Sequence, residues 1–175
     1  MASRWMTAGA VGTAIAIAGA HLLSAAPAQA QAAYGSYVGI GGALGLTEDD
    51  NDEGGGFSVV VAGRYKLLEL PISLRAQAFL FGGSTAIVPT VSYDYPLNFQ
   101  TDLYVGAGLA FAGSDDDDDP SPVGDTTSFV IQPGVDYALP DSNLVIFGNA
   151  IFAFDAYEDG GGTATSIQGG VGYQF

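Results

Sequence analysis

The last eleven residues, TSIQGGVGYQF, alternate at a period of two. Ile167, Gly169, Val171, Tyr173 and Phe175 fall on one side, and Ser166, Gln168, Gly170, Gly172 and Gln174 on the other. That is a strand with one apolar face and one polar or small face. No residue after Phe175 covers its free edge, and an exposed apolar edge invites aggregation. The strand is therefore expected to pair with the first strand of the same chain, which closes a barrel.

The opening thirty residues do not fit such a barrel. Arg4 gives a positive start, residues 8–23 form an Ala-rich apolar run, and Ala28-Gln29-Ala30 is the small-x-small pattern that a signal peptidase cleaves after. Residues 1–30 are expected to be a cleavable signal peptide and residues 31–175 one domain. The segment also holds the only His (His21), the only Trp (Trp5) and both methionines, and the chain has no cysteine. Residues 31–175 thus lack disulfides, the usual nucleophile–base pairs, and nitrogen or sulfur metal ligands. No enzymatic activity and no cofactor are expected.

Residues 31–175 contain no apolar run of the roughly 20 residues a membrane helix needs. Their glycines lie within the apolar segments, where they weaken helices. The route into a membrane left to such a chain is a closed barrel. Alternation predicts eight strands, at 36–46, 57–67, 72–81, 85–95, 99–111, 128–139, 144–154 and 165–175. The seventh is apolar on both faces, and Asn149 is taken to mark its inner one. Each strand has about ten residues, as a tilted strand crossing a bilayer requires. The segments 47–56, 112–127 and 155–164 are acidic connections, whereas those after strands two, four and six are tight turns. Long connections on one rim and turns on the other describe an eight-stranded antiparallel up-and-down transmembrane β-barrel with both ends periplasmic.

Alternation alone also allows a water-soluble barrel that holds a small ligand. Arg64, Lys66, Arg75, Asp94, Asp102 and Asp136 all lie opposite the large aliphatics. They would be solvated if the aliphatic face pointed inward. The glycines on the polar face and the aromatics at the strand ends favour the membrane form. Tyr65, Tyr93, Tyr95, Phe99, Tyr137, Tyr173 and Phe175 fall near the turn rim, and Phe57, Phe111, Phe129 and Phe154 near the other. Such girdles mark membrane interfaces. Pro89 and Pro133 sit inside strands that a closed barrel bonds on both sides, and either bulges at both or different strand boundaries are expected.

The opening SYVGIGGALGL, the strand LYVGAGLAF and the ending GGVGYQF resemble the small outer-membrane β-barrel family that includes the OmpA-type transmembrane domain, OmpX and the opacity-type surface proteins. The resemblance covers residues 31–175. It implies an outer-membrane location, and it implies that Val171, Tyr173 and Phe175 form the signal read by the barrel-assembly machinery. OmpA-type proteins often carry a following peptidoglycan-binding domain. The sequence ends with the barrel, so no cell-wall tether is expected.

An eight-stranded lumen is just wide enough for side chains to fill. The six charged residues are expected to pair across its periplasmic half, with Arg64 and Arg75 side by side and each needing a carboxylate from another strand. In the outer half, Gly41, Ala43, Val60, Phe79, Phe81, Val88, Gly106, Gly108 and Ala110 either pack or leave a small apolar pocket.

The formal net charge of −15 argues against nucleic acid, which requires basic surface. Most of it lies in the acidic connections. No metal site is expected. The run Asp115, Asp116, Asp117, Asp118 and Asp119 is the nearest approach to one, and a divalent cation such as calcium would bind there only weakly. The segment 49–52 and this run lack the spacing and closing Glu of an EF-hand. The expected protein is a monomer surrounded by outer-membrane lipid, with a charge-plugged lumen and a role in envelope integrity or surface interaction. The alternatives are a narrow porin-like channel, in which the six charges set selectivity, and a lipid-binding or lipid-modifying protein.

Overall fold

A computed structural model describes residues 35–47, 56–67, 69–80, 85–113, 121–157 and 162–175. Residues 1–34, Phe81 and the runs 48–55 and 114–120, with Asp115, Asp116, Asp117, Asp118 and Asp119, lie outside them. Eight strands follow one another: β1 (Tyr37–Gly45), β2 (Phe57–Leu67), β3 (Ile72–Leu80), β4 (Thr85–Pro96), β5 (Thr101–Gly113), β6 (Ser128–Ala138), β7 (Leu144–Phe154) and β8 (Thr163–Gln174). Each pairs antiparallel with the next, and β8 returns to β1, from Tyr37↔Gln174 to Gly45↔Ser166. The closing strand therefore has no free edge.

Turn chemistry explains the tight rim. Between β4 and β5 the Asn98 side chain accepts the backbone N–H groups of Gln100 and Thr101, both at 2.9 Å. This Asx turn delays β5 to Thr101, two residues later than the alternation suggests. Between β6 and β7, Asp141 takes a left-handed φ of 57° and Leu139 N–H reaches the Leu144 carbonyl at 2.9 Å.

The aliphatic face points outward. Val38, Ile40, Val61, Leu74, Val91, Val105, Leu109 and Val171 are exposed, while Arg64, Lys66, Arg75, Asp94, Asp102 and Asp136 are buried. This arrangement overturns the soluble, ligand-holding alternative, because a barrel in water would not turn a belt of valine and leucine to solvent and bury six charges. The aromatics of both rims also face outward.

The expected bulges at Pro89 and Pro133 are absent. The β4–β5 ladder passes over Val88 and Pro89 and resumes at Thr90↔Gly108 in unchanged register. The β6–β7 ladder passes over Gln132 and Pro133 and resumes at Gly134↔Asn149. In an antiparallel sheet a residue bonds to one neighbour at a time, so a missing N–H interrupts one side only. On the other side Ala76↔Pro89 and Val105↔Pro133 stay paired. A bulge would have turned every later side chain to the wrong face.

Candidate functional site

The inward faces share an order when followed from the turn rim to the opposite rim. β2 presents Lys66, Arg64, Ala62 and Val60; β4 presents Asp94, Ser92, Thr90 and Val88; β6 presents Asp136, Gly134, Gln132 and Val130. Stacked around the barrel, these faces make three layers: charged, then amide and hydroxyl, then aliphatic.

The charged layer brings together all six of the charged residues named from the sequence. Arg64 and Arg75 are directly opposed on β2 and β3, a like-charge pair that requires acceptors from elsewhere. Arg64 donates through Nη1 to Asp136 Oδ2 at 3.0 Å, and through Nη2 to Asp94 Oδ2 at 3.1 Å and Asp102 Oδ2 at 2.7 Å. Arg75 Nη2 reaches Asp136 Oδ2 at 2.8 Å and Asp94 Oδ1 at 3.3 Å, and Lys66 Nζ reaches Asp94 Oδ2 at 2.7 Å. Asp94 is the hub. It also accepts from Ser73 Oγ, and from Ser92 Oγ at 2.9 Å. Asp102 contacts the network through Oδ2 alone, its Oδ1 having no partner among the described residues. Three positive charges face three negative ones, so the layer is neutral where it is buried, as buried charges require.

Two tyrosines belong to this site and were not singled out from the sequence. Tyr37 donates its hydroxyl to Asp136 Oδ1 at 3.0 Å, and the Arg75 guanidinium lies 3.3 Å above the centre of the Tyr104 ring, a cation–π contact. Their signal was present: on β1 and β5 these tyrosines share a face with Gly39, Gly41, Gly106 and Gly108. A large ring among glycines on a small-residue face has to fill the space they leave. A Cβ on Gly134 would meet the Tyr104 ring and Asn149 Cβ. One on Gly39 would lie 2.8 Å from Phe147, and one on Gly172 2.8 Å from Tyr37. The inner glycines admit these rings.

In the middle layer Thr90 Oγ1 donates to Gln132 Oε1 at 2.7 Å, Gln132 Nε2 to Asn149 Oδ1 at 3.1 Å, and Gln168 Nε2 to Ser166 Oγ at 2.6 Å. Above it Val60, Phe79, Val88, Ala110, Val130 and Ile151 are fully buried against one another. These side chains pack against one another in one cluster. The connection before β6 closes over this layer. Val123 is buried against it, Asp125 and Thr126 donate N–H groups to the Ala156 carbonyl at 3.0 and 3.3 Å, and the Thr47 and Tyr157 hydroxyls approach to 3.4 Å. Among the described residues no cluster of metal-ligating side chains occurs. Val171 and Tyr173 face outward on β8, and Phe175 is exposed at the chain end.

The fold and site define a transmembrane β-barrel with a filled lumen. The sequence profile of the outer membrane protein beta-barrel domain matches residues 18–175, and the chain belongs to that family. Among curated protein sequences none matches. Solved structures with a similar fold include Neisserial surface protein A, at 16% identity over 80% of this chain and 97% of that one with a TM-score of 0.57. The N-terminal barrel domain of Pseudomonas aeruginosa OprF is similar at 15% identity, over 81% and 98% of the two chains, with a TM-score of 0.56. The attachment invasion locus protein Ail of Yersinia pestis is similar at 18% identity, over 80% and 97%, with a TM-score of 0.51. At these identities the likeness concerns the fold.

Proposed function

We propose that the protein is a non-enzymatic barrel of the outer membrane with a sealed lumen, serving envelope integrity or surface interaction through its long acidic connections. The observation that carries this reading is the continuity of packing along the barrel. A neutral ion-pair layer, an amide layer and an aliphatic layer follow one another, and Phe79, Val60, Val130 and Ile151 are each 0% exposed. A conducting pore needs a wetted path, and a hydrophobic constriction closes one by dewetting.

In the same reading residues 1–30 are removed on export, both ends of residues 31–175 face the periplasm, and Val171, Tyr173 and Phe175 are recognised during assembly. The barrel functions as a monomer surrounded by lipid. Divalent cations at the acidic connections bind weakly and are not required for the fold.

Single-channel recording on residues 31–175 refolded into planar bilayers tests the proposal. The wild type is expected to be silent, and the double variant Phe79→Ala, Ile151→Ala, which removes the two bulkiest side chains of the aliphatic layer, is expected to show brief openings. Steady wild-type conductance would replace this reading with a porin-like channel whose selectivity lies in Arg64, Lys66, Arg75, Asp94, Asp102 and Asp136. Release of fatty acid from phospholipid by the refolded barrel would instead favour a lipid-modifying protein.

A further inference from the structure

The outward surface is not uniformly convex. Along β4, β5 and β6 it is hollowed into two adjoining depressions of about 410 and 370 Å³, which share Tyr93 and Val105. The register explains the furrow. Its successive outward rows are Tyr95–Leu103, Tyr93–Val105–Pro133 and Val91–Ala107–Ile131. Ala107 and Pro133 are small or flat where neighbouring rows carry branched or aromatic side chains, and Phe129 closes the upper end. The furrow follows β4 from Tyr95 to Val91, about 13 Å at the usual rise per residue. With the strands tilted by about 40°, that is about 10 Å of depth, some two-thirds of one leaflet's hydrocarbon thickness of about 15 Å.

We propose that this furrow is a seat for one acyl chain of a phospholipid in the turn-side leaflet. Three observations select that occupant. The furrow faces outward on a membrane-spanning barrel, so hydrocarbon is its surrounding medium. Its lining carries no charged side chain. At its lower end the exposed Tyr93 and Tyr95 supply hydroxyl donors at the level where aromatic belts meet headgroups, within reach of a glycerol ester or phosphate oxygen. A second copy of this chain is a poorer occupant. Parallel barrels docked along β4–β6 would bring together the acidic β5–β6 connection, 112–127, of both copies, and like charges repel.

The test uses residues 31–175 refolded into phosphatidylethanolamine–phosphatidylglycerol vesicles containing a trace of phospholipid with a mid-chain diazirine. Adducts formed on illumination are mapped by mass spectrometry. The expected result is labelling of residues 91–107 and 129–135 several-fold above that of the outward face of β1 and β2. Val105→Trp, which fills the junction of the two depressions, and Ala107→Phe, which fills the floor, should each reduce it to the level of the rest of the barrel. Ile40→Phe on the opposite wall should leave it unchanged. Even labelling around the wild-type barrel overturns the proposal without need of any variant. So does chain-to-chain cross-linking concentrated across β4–β6, which would assign the furrow to a second copy.

Discussion

Removing Asp94 should be the most damaging single substitution in the lumen. Its carboxylate accepts from Arg64, Lys66, Arg75, Ser73 and Ser92, and three of those donors are cationic. The ion-paired side chains are 5% exposed or less. Asp94→Ala takes a carboxylate acceptor from three buried cations at once, and removing one partner of a buried pair costs about 3–5 kcal/mol. Asp102 is the internal comparison. It holds Arg64 alone, and Arg64 keeps Asp94 and Asp136 when Asp102 is gone. Asp102→Ala should therefore cost less, about 1.5–3 kcal/mol, the worth of a hydrogen bond to a charged group. Restoring neutrality gives a second check. Lys66→Met placed on Asp94→Ala should recover about 1–2 kcal/mol, within the usual range for contacting residues. The assay is urea unfolding from phospholipid vesicles, followed by the gel mobility of folded and unfolded barrel and by circular dichroism. Tryptophan fluorescence is unsuitable because the only Trp is Trp5. Equal losses for Asp94→Ala and Asp102→Ala, or no recovery in the double variant, would refute the hub assignment.

Other outcomes follow from the same packing. Gly134→Ala places a methyl against the Tyr104 ring and Asn149, and should cost about 1–3 kcal/mol by overpacking in the same urea titration. Gly63→Ala, with nothing within 4 Å of the added carbon, should stay within about 0.5 kcal/mol of the wild type. Gly124 has a φ of +96°, and its missing Cβ would strike the Ala156 carbonyl. Gly124→Ala should lift Val123 off the aliphatic layer and speed protease cleavage in 121–127, while strands β1–β8 stay protected; an unchanged cleavage rate would count against the cap. Stability should change little between low and high salt, because the ion pairs are buried, whereas a steep loss would point to a solvated network.

Much of this barrel was legible in the sequence because strand alternation is local. The facing of β2, from Phe57 outward to Lys66 inward, needs only the pleat, and the eight strands and the closing role of TSIQGGVGYQF follow from the same period. Even β7, apolar on both sides, was oriented by the single polar Asn149. Pro89 and Pro133 suggest bulges from the sequence, but antiparallel pairing confines each missing donor to one neighbour and leaves the register intact.

What the sequence by itself determined is therefore which side chains share a face, since the two-residue period is written into each strand. Alternation is symmetric under exchange of inside and outside, so it was the inner-face glycines and the rim aromatics that pointed the aliphatic face outward, as the closed barrel has it. The ion pairs were decided by tertiary structure. Arg64 meets Asp136 across 72 residues and Tyr37 meets Asp136 across 99. Such partners come together only through the accumulated register of all eight strands, a property of the closed sheet that no single strand carries.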